Sequence, residues 1–414
     1  MGQRRFYGKV ASALELPDLL LGLSQSYGWF LEEGLAQLFA ELSPIRGEGR
    51  EELVLELGEP RLGVPHNSEQ DCKDRNLTYS APLRVKGVLK QQEEVLKEDD
   101  LYLADVPLMT SRGTFIINGA EKVLVNYLHR SPGLYFYHEG QRPQEFVAHV
   151  LPEYGAWLEM ILDTKKGRVL VNLDRGVVPV TTLLRALGMD TEEIIDHFSF
   201  TVNPLTKERL SSYRGYQLSE EIREDGQVLL ERGEELTEEA IEAILEAKPG
   251  KIRLLNPYIQ GSLAEDKTSS REEALVFIYR KLRASERLSL SQAEEYLHKL
   301  YFDPERYNLT PVGRFMLNKK LGLKGVEEMV LRREEVILIL ERLLRLPDPS
   351  DPQRPIDSQL VDDKDHLANK RVKAPGEMAW DALRSGLLRM ARITRDRLSK
   401  YQPEEEPLRS LISA

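Results

Sequence analysis

Apolar residues recur at helical spacing near the start of the chain, at Leu19, Leu23, Tyr27 and Phe30, with Leu31 widening the stripe, and predict a helix from Asp18 onward. A second amphipathic stretch through Leu35, Leu38, Phe39 and Leu42 stops at Ser43-Pro44. The pattern then shortens to a period near two. Glu52–Leu57 partly alternates and predicts a half-buried strand, Leu83–Leu89 predicts another, and Leu101–Leu103 leads into a hairpin. That hairpin joins Thr114–Ile117 to Lys122–Val125 through Asn118-Gly119, a pair suited to a type I′ turn because both turn residues must take positive φ.

Further along, Phe146–Val150, Ala156–Leu162 and Arg168–Leu173 read as strands, and Val180–Leu187 as a helix ended by Gly188. Asp190 is placed to cap the next helix, with acids in its first turn. Gly226, Gly233 and a Thr237 cap mark a small strand-then-helix insertion within Thr201–Gln260. Ser270–Leu282 is helical, Ser291–Glu294 fits a capping box opening a helix to Leu300, and Val326–Leu346 reads as one long helix stopped by Pro347-Asp-Pro349. Pro347–Pro355 reads as a connector.

With 414 residues, two domains are expected. A hydrophobic content of 41% and charged content of 30% describe a soluble globular protein. Cys72 is the only cysteine, which excludes an internal disulfide and a cysteine-rich zinc site and fits a reducing cytoplasm. No apolar run reaches the roughly 18 residues of a membrane span, and no signal peptide is evident at the N-terminus. The net charge of −11 is unevenly spread. Eleven acids face three cations between Gln217 and Lys248, whereas nine cations face three acids between Lys370 and Lys400. Such asymmetry fits one face for a polyanion and another for solvent or protein partners.

Candidate chemistry clusters after the hairpin. His129-Arg-Ser-Pro-Gly133 is a cationic loop flanked by Tyr127, Tyr135, Phe136 and Tyr137. Cations interleaved with aromatic faces suit a nucleic-acid backbone and unstacked bases, while a structural turn with ordinary core aromatics is the reading that the residues alone favour. Asp362-Asp-Lys-Asp-His366 has poor metal-ligand spacing, and its carboxylates are expected to cap the following turn or pair with Lys370, Arg371 and Lys373. In the stretch Met378–Lys400, Trp380, Leu383, Leu387 and Met390 form a core stripe, with Arg389, Arg392 and Arg395 near another face. No P-loop, dinucleotide fingerprint or Asp-rich two-metal loop occurs, so no catalytic residue and no metal ligand is assigned.

The run Pro107–Val125 with Leu128–Gly133 resembles the start of the bacterial RNA polymerase β subunit. Val361–Arg371 followed by Pro375–Met378, Cys72–Leu83 and Phe302–Leu309 resemble further motifs of that family, in the same order. The resemblance implies an α+β chain of two mixed domains. A protrusion would be formed by residues 1–136 and completed by 347–414, with a lobe inserted at 137–346 that carries the acidic insertion near 201–260. It implies one wall of a DNA cleft in a cytoplasmic enzyme. The partners would be DNA, the α, β′ and ω subunits, a sigma factor and the transcription-repair coupling factor. Magnesium would be held by the partner subunit and not by this chain, whose part alone would be inactive in nucleotidyl transfer.

Site residues carry over as follows. Trp157 in Gly155-Ala-Trp-Leu158 would line the lobe and stack on a non-template base, since a π-face accepts any base. Arg175, Arg306 and Arg314 match basic positions on the same face, and Arg130, Lys370 and Arg371 would face phosphates. Leu134 would edge the pocket where rifamycins bind, although Asn126-Tyr127 departs from the usual pair there. Leu96, Lys97 and Glu98 match the coupling-factor patch, and Trp380–Leu383 departs from its family motif. A different class also fits the acidic surplus: a stand-alone interaction module or decoy mimicking the lobe.

Overall fold

A computed structural model describes residues 18–47, 53–92, 94–138, 145–173, 176–203, 205–224, 227–283, 289–347 and 361–412. The architecture is α+β. The chain divides into two compact units, one built from Met1–His129 with Val372–Ala414 and the other from the contiguous stretch Arg130–Arg371. The contiguous unit is therefore longer at both ends than the 137–346 expected from sequence, and most of the Pro-rich connector lies outside the described residues.

In the first unit, the helices Leu21–Trp29 and Leu35–Leu42 are joined by a π-helical turn at Phe30–Gly34. They pack with a four-stranded antiparallel sheet in the order Ile45–Arg46, Leu53–Leu62, Ser80–Gln91, Glu94–Pro107. Alternation decides which residues enter: Leu53, Leu55 and Leu57 from one strand and Leu83, Val85 and Leu89 from the next are buried. The register shifts between Leu57 and Pro60, where proline has no N–H to give the ladder. The helix Pro375–Leu398 adds Leu387, Met390, Ala391 and Leu398 to the same core.

The hairpin forms as its turn residues require. Asn118 and Gly119 have φ of 50° and 77°, and a Cβ on Gly119 would stand 2.7 Å from the Asn76 side chain. Its second strand is Ala120–Lys122, earlier than the expected Lys122–Val125. Pairing stops after three residues, which leaves Val123, Leu124 and Val125 exposed.

The second unit is built on a five-stranded antiparallel meander, Gly133–His138, Glu145–Leu151, Leu158–Asp163, Arg168–Leu173 and Gly176–Pro179. One face is apolar throughout and is covered by helices, among them Pro257–Glu265 against the fourth strand and Arg333–Leu344 against the second. Asp266, with a wholly buried side chain, ties this layer together by accepting from Thr181, Thr182, Thr268 and Arg185. A smaller core of Val202, Leu218, Ile241, Ile244 and neighbours sits within residues 199–255 beneath the acidic surface, with Thr237 capping the helix Glu238–Ala247.

Two expected helix boundaries change. The capping box of the helix Leu290–Tyr301 uses Ser289 and Gln292, two residues ahead of the expected Ser291–Glu294. The long helix over 326–346 is shorter, Arg333–Leu344, and a separate helix occupies Thr310–Leu321. Gly322 and Gly325, at φ of 72° and 71°, turn the chain between them. Among the described residues, no helix is long and apolar enough to cross a membrane.

Candidate nucleic-acid interface

The period of two that buries Leu134, Phe136, Ala148, Val150, Leu158, Met160 and Val171 sends their neighbours to the opposite face of the five-stranded sheet. Cross-strand register then lines up Tyr135, His149, Glu159 and Asn172 in one row over four strands. Glu159 accepts from the Tyr137 hydroxyl at 3.2 Å and from the Asn172 amide at 3.1 Å. Cations approach the Tyr137 ring: the Arg130 guanidinium carbon lies 5.9 Å and the Lys364 Nζ 5.7 Å from its centroid. The row is polar, aromatic and cationic on a sheet whose other face is oil.

Trp157 sits beside this row, immediately before the third strand. Its segment is pinned to the Arg306–Asn308 backbone: Glu153 N donates to Asn308 O at 2.8 Å, and Asn308 N donates to Tyr154 O at 3.0 Å. Gly155 makes the approach feasible, since at φ +122° a Cβ would stand 2.7 Å from the Tyr307 ring and 3.0 Å from Arg306 O. The Tyr301 hydroxyl donates to Trp157 O at 3.2 Å. With its backbone held, the indole is 58% exposed, unlike a core tryptophan. Arg306, carried on the adjoining segment, is also exposed, with its nearest carboxylate, Asp303, 3.8 Å away. Arg371 pairs with Glu153 at 2.8 Å, which brings a further cation to the same segment, and Lys370 pairs with Asp365 at 3.4 Å. The structure thus gathers Trp157, Arg306 and Arg371 around residues 153–157, with Arg130 set against the Tyr137 ring of the edge strand Gly133–His138.

Two expectations are corrected. Arg314 is 3% exposed: it forms a buried pair with Glu335 and donates to Val330 O, so it braces the helices and offers no donor outward. Leu134 is fully buried on the aliphatic face opposite Val150, so it cannot edge an open pocket. Arg175 lies outside the described residues. The Asp362–His366 run holds no metal-binding group among the described residues. Asp362 instead accepts from Phe136 N at 2.8 Å and pairs with Lys320, Asp363 accepts from Asp365 N, and the His366 imidazole accepts from Ala368 N.

In the other unit, Leu96 is half-buried against the core, Lys97 donates to Glu406 O at 2.7 Å and Glu98 pairs with Lys86 at 2.9 Å. Their strand, Glu94–Pro107, is an edge of its sheet. On the helix Pro375–Leu398, Arg389, Arg392 and Arg395 are exposed and form no ion pair among the described residues.

Sequence reasoning passed over His149. It packs edge-to-face against Trp157 with ring centroids 5.2 Å apart, and Tyr137 lies 6.4 Å away on its other side. Burial, reinforced by the Arg130 charge and opposed by Glu159, pushes its pKa down to about 4. The alternation that places Glu159 on the outer face places its cross-strand neighbour His149 there too, but its strand reads as almost wholly apolar.

A family model described as RNA polymerase Rpb2, domain 2 matches residues 130–373. DNA-directed RNA polymerase subunits beta from Brucella canis, Brucella suis and Brucella abortus are each 32% identical over 505 aligned residues, which take in 99% of this chain and 36% of theirs. The chain spans little more than a third of the length of these curated relatives. Because the family model covers more than half of the chain and the β-subunit likeness runs along all but 1% of it, the protein belongs to the RNA polymerase Rpb2 family, as a region of a bacterial-type β subunit.

Proposed function

We propose that this chain forms one wall of the cleft through which an RNA polymerase guides DNA, by stacking and charge with little base selectivity. The observation that carries the proposal is the exposed Trp157 indole, held on a fixed backbone beside Arg306. An aromatic face stacks on any base, contributing about 1–3 kcal/mol, and arginines around it hold the backbone phosphates. Arg130, Lys370 and Arg371 extend the cationic lining of this unit, and Arg389, Arg392 and Arg395 give the other unit its own phosphate-facing row. The remainder of a polymerase, with the α, β′ and ω subunits, supplies the nucleotidyl transfer, and magnesium is held by the partner subunit. Sigma and elongation factors dock on the outer surfaces, the transcription-repair coupling factor at the edge strand that carries Leu96, Lys97 and Glu98.

Fluorescence anisotropy of a forked, partly single-stranded DNA tests this across a salt range. Binding that weakens with salt, and weakens again in Trp157→Ala and Arg306→Ala, is expected; each lost phosphate contact lowers the salt slope by roughly one. The stand-alone interaction module is favoured by the acidic surface of residues 217–248 over its own small core. No DNA binding at low salt, with tight binding of a protein factor, selects it.

A further inference from the structure

His149 is 5% exposed, and neither ring nitrogen has a hydrogen-bond partner among the described residues. A buried imidazole that forgoes both bonds sacrifices stability, so its presence calls for an explanation. What the ring does touch is aromatic. The Trp157 indole meets it edge-to-face at an interplanar angle of 65°, and Tyr137 flanks it at 53°. Trp157 itself remains 58% exposed. Its carbonyl is held by Tyr301 and the segment just before it by Asn308, so the freedom left to Trp157 lies mainly in its two side-chain torsions.

We propose that His149 is a positioning residue for Trp157: the imidazole props the indole so that its open face stands ready for a nucleobase. The inference rests on the reading of Trp157 as a base platform. A ring ordered before binding loses less rotamer freedom when the base arrives, so the prop acts on affinity through Trp157 alone. The imidazole works as a flat, uncharged ring, and its own hydrogen-bonding capacity is not used. A phenyl ring should therefore replace it, and an amide of similar reach should not.

The test is a double-mutant cycle on the 414-residue chain, with forked DNA carrying an unpaired strand as the probe. Trp157→Ala is expected to weaken binding roughly 5- to 150-fold, the span of one base–aromatic stack. His149→Ala and His149→Gln weaken it about three- to tenfold, and His149→Phe restores it to within about twofold. In the Trp157→Ala background the same His149 changes have no further effect, and the salt slope stays constant in every variant because no phosphate contact is altered. Circular dichroism identifies any variant that fails to fold, and the phenyl and amide variants then carry the comparison. If Trp157→Ala weakens binding while His149→Ala costs nothing, or costs as much with Trp157 as without it, the positioning role is overturned and the platform reading stands. If Trp157→Ala leaves binding unchanged, the platform reading fails and the positioning role fails with it.

Discussion

The two faces of the five-stranded sheet are built from the same strands, one residue apart, yet they do different work. On one face every strand contributes aliphatic or phenyl side chains to a continuous core. On the other, Tyr135, Tyr137, His149, Glu159 and Asn172 form a polar and aromatic row against which cations and an exposed tryptophan gather. The core face makes the sheet rigid, and that rigidity holds the row to a fixed spacing set by register alone. Chemistry on the outer face is thus a by-product of alternation: to bury Ala148 and Val150 is to aim His149 the other way.

The largest separation between the faces is expected from Met160→Ala. Met160 is fully buried between Ala148 and Val171, and its truncation should lower stability by about 2–5 kcal/mol in a denaturant titration. DNA affinity of the folded fraction should stay unchanged; a parallel loss of affinity would mean that the faces are not independent.

His149 probes the outer face through pH. Its ordinary value of 6.5 applies in the unfolded chain, and in the fold it falls to about 4. The unfolded state therefore takes the proton first. The contribution of the neutral ring is complete above about pH 6.5 and is lost as pH falls toward 4, on the order of 3 kcal/mol in all. His149→Phe should flatten that part of a stability-versus-pH profile, and an unchanged slope would show that the ring is open to protons in the folded state.

Arg306→Ala is the smallest expected effect on stability, within about 0.5 kcal/mol by thermal unfolding, because an exposed arginine 3.8 Å from its acid is worth little to the fold. Its loss should be read only in DNA binding. A destabilisation as large as that of Met160→Ala would make Arg306 a structural brace.

Much of this arrangement is legible from residue order. Period-two runs locate the strands, Asn118-Gly119 locates a turn, and Thr237 and Asp190 locate helix caps, because each is a local preference written within a few residues. What escapes is non-local. Arg306 and Arg314 look alike in sequence, and the helix Arg333–Leu344, which brings Glu335 to Arg314, decides that Arg314 is buried while Arg306 is exposed. His149 hides in a strand that is buried on both sides, so its neighbours carry no polar alternation to reveal its face. The start of the last helix of this unit at Arg333, not Val326, is concealed by Val326, Met329 and Val330, which continue the helical spacing ahead of it.

The division of the chain also sets a timetable. Residues 130–371 form their unit from one uninterrupted stretch, so that unit can close as soon as it leaves the ribosome. The other unit cannot. The side chains of Leu387, Met390, Ala391 and Leu398 arrive only after the whole intervening unit has been made, and at roughly 5–20 residues per second that is a wait of roughly 12–50 s. Through that interval Leu38, Phe39, Leu55 and Leu83 belong to a core still missing its last helix. Until that helix arrives, apolar side chains of the first unit stay open to contacts with other chains.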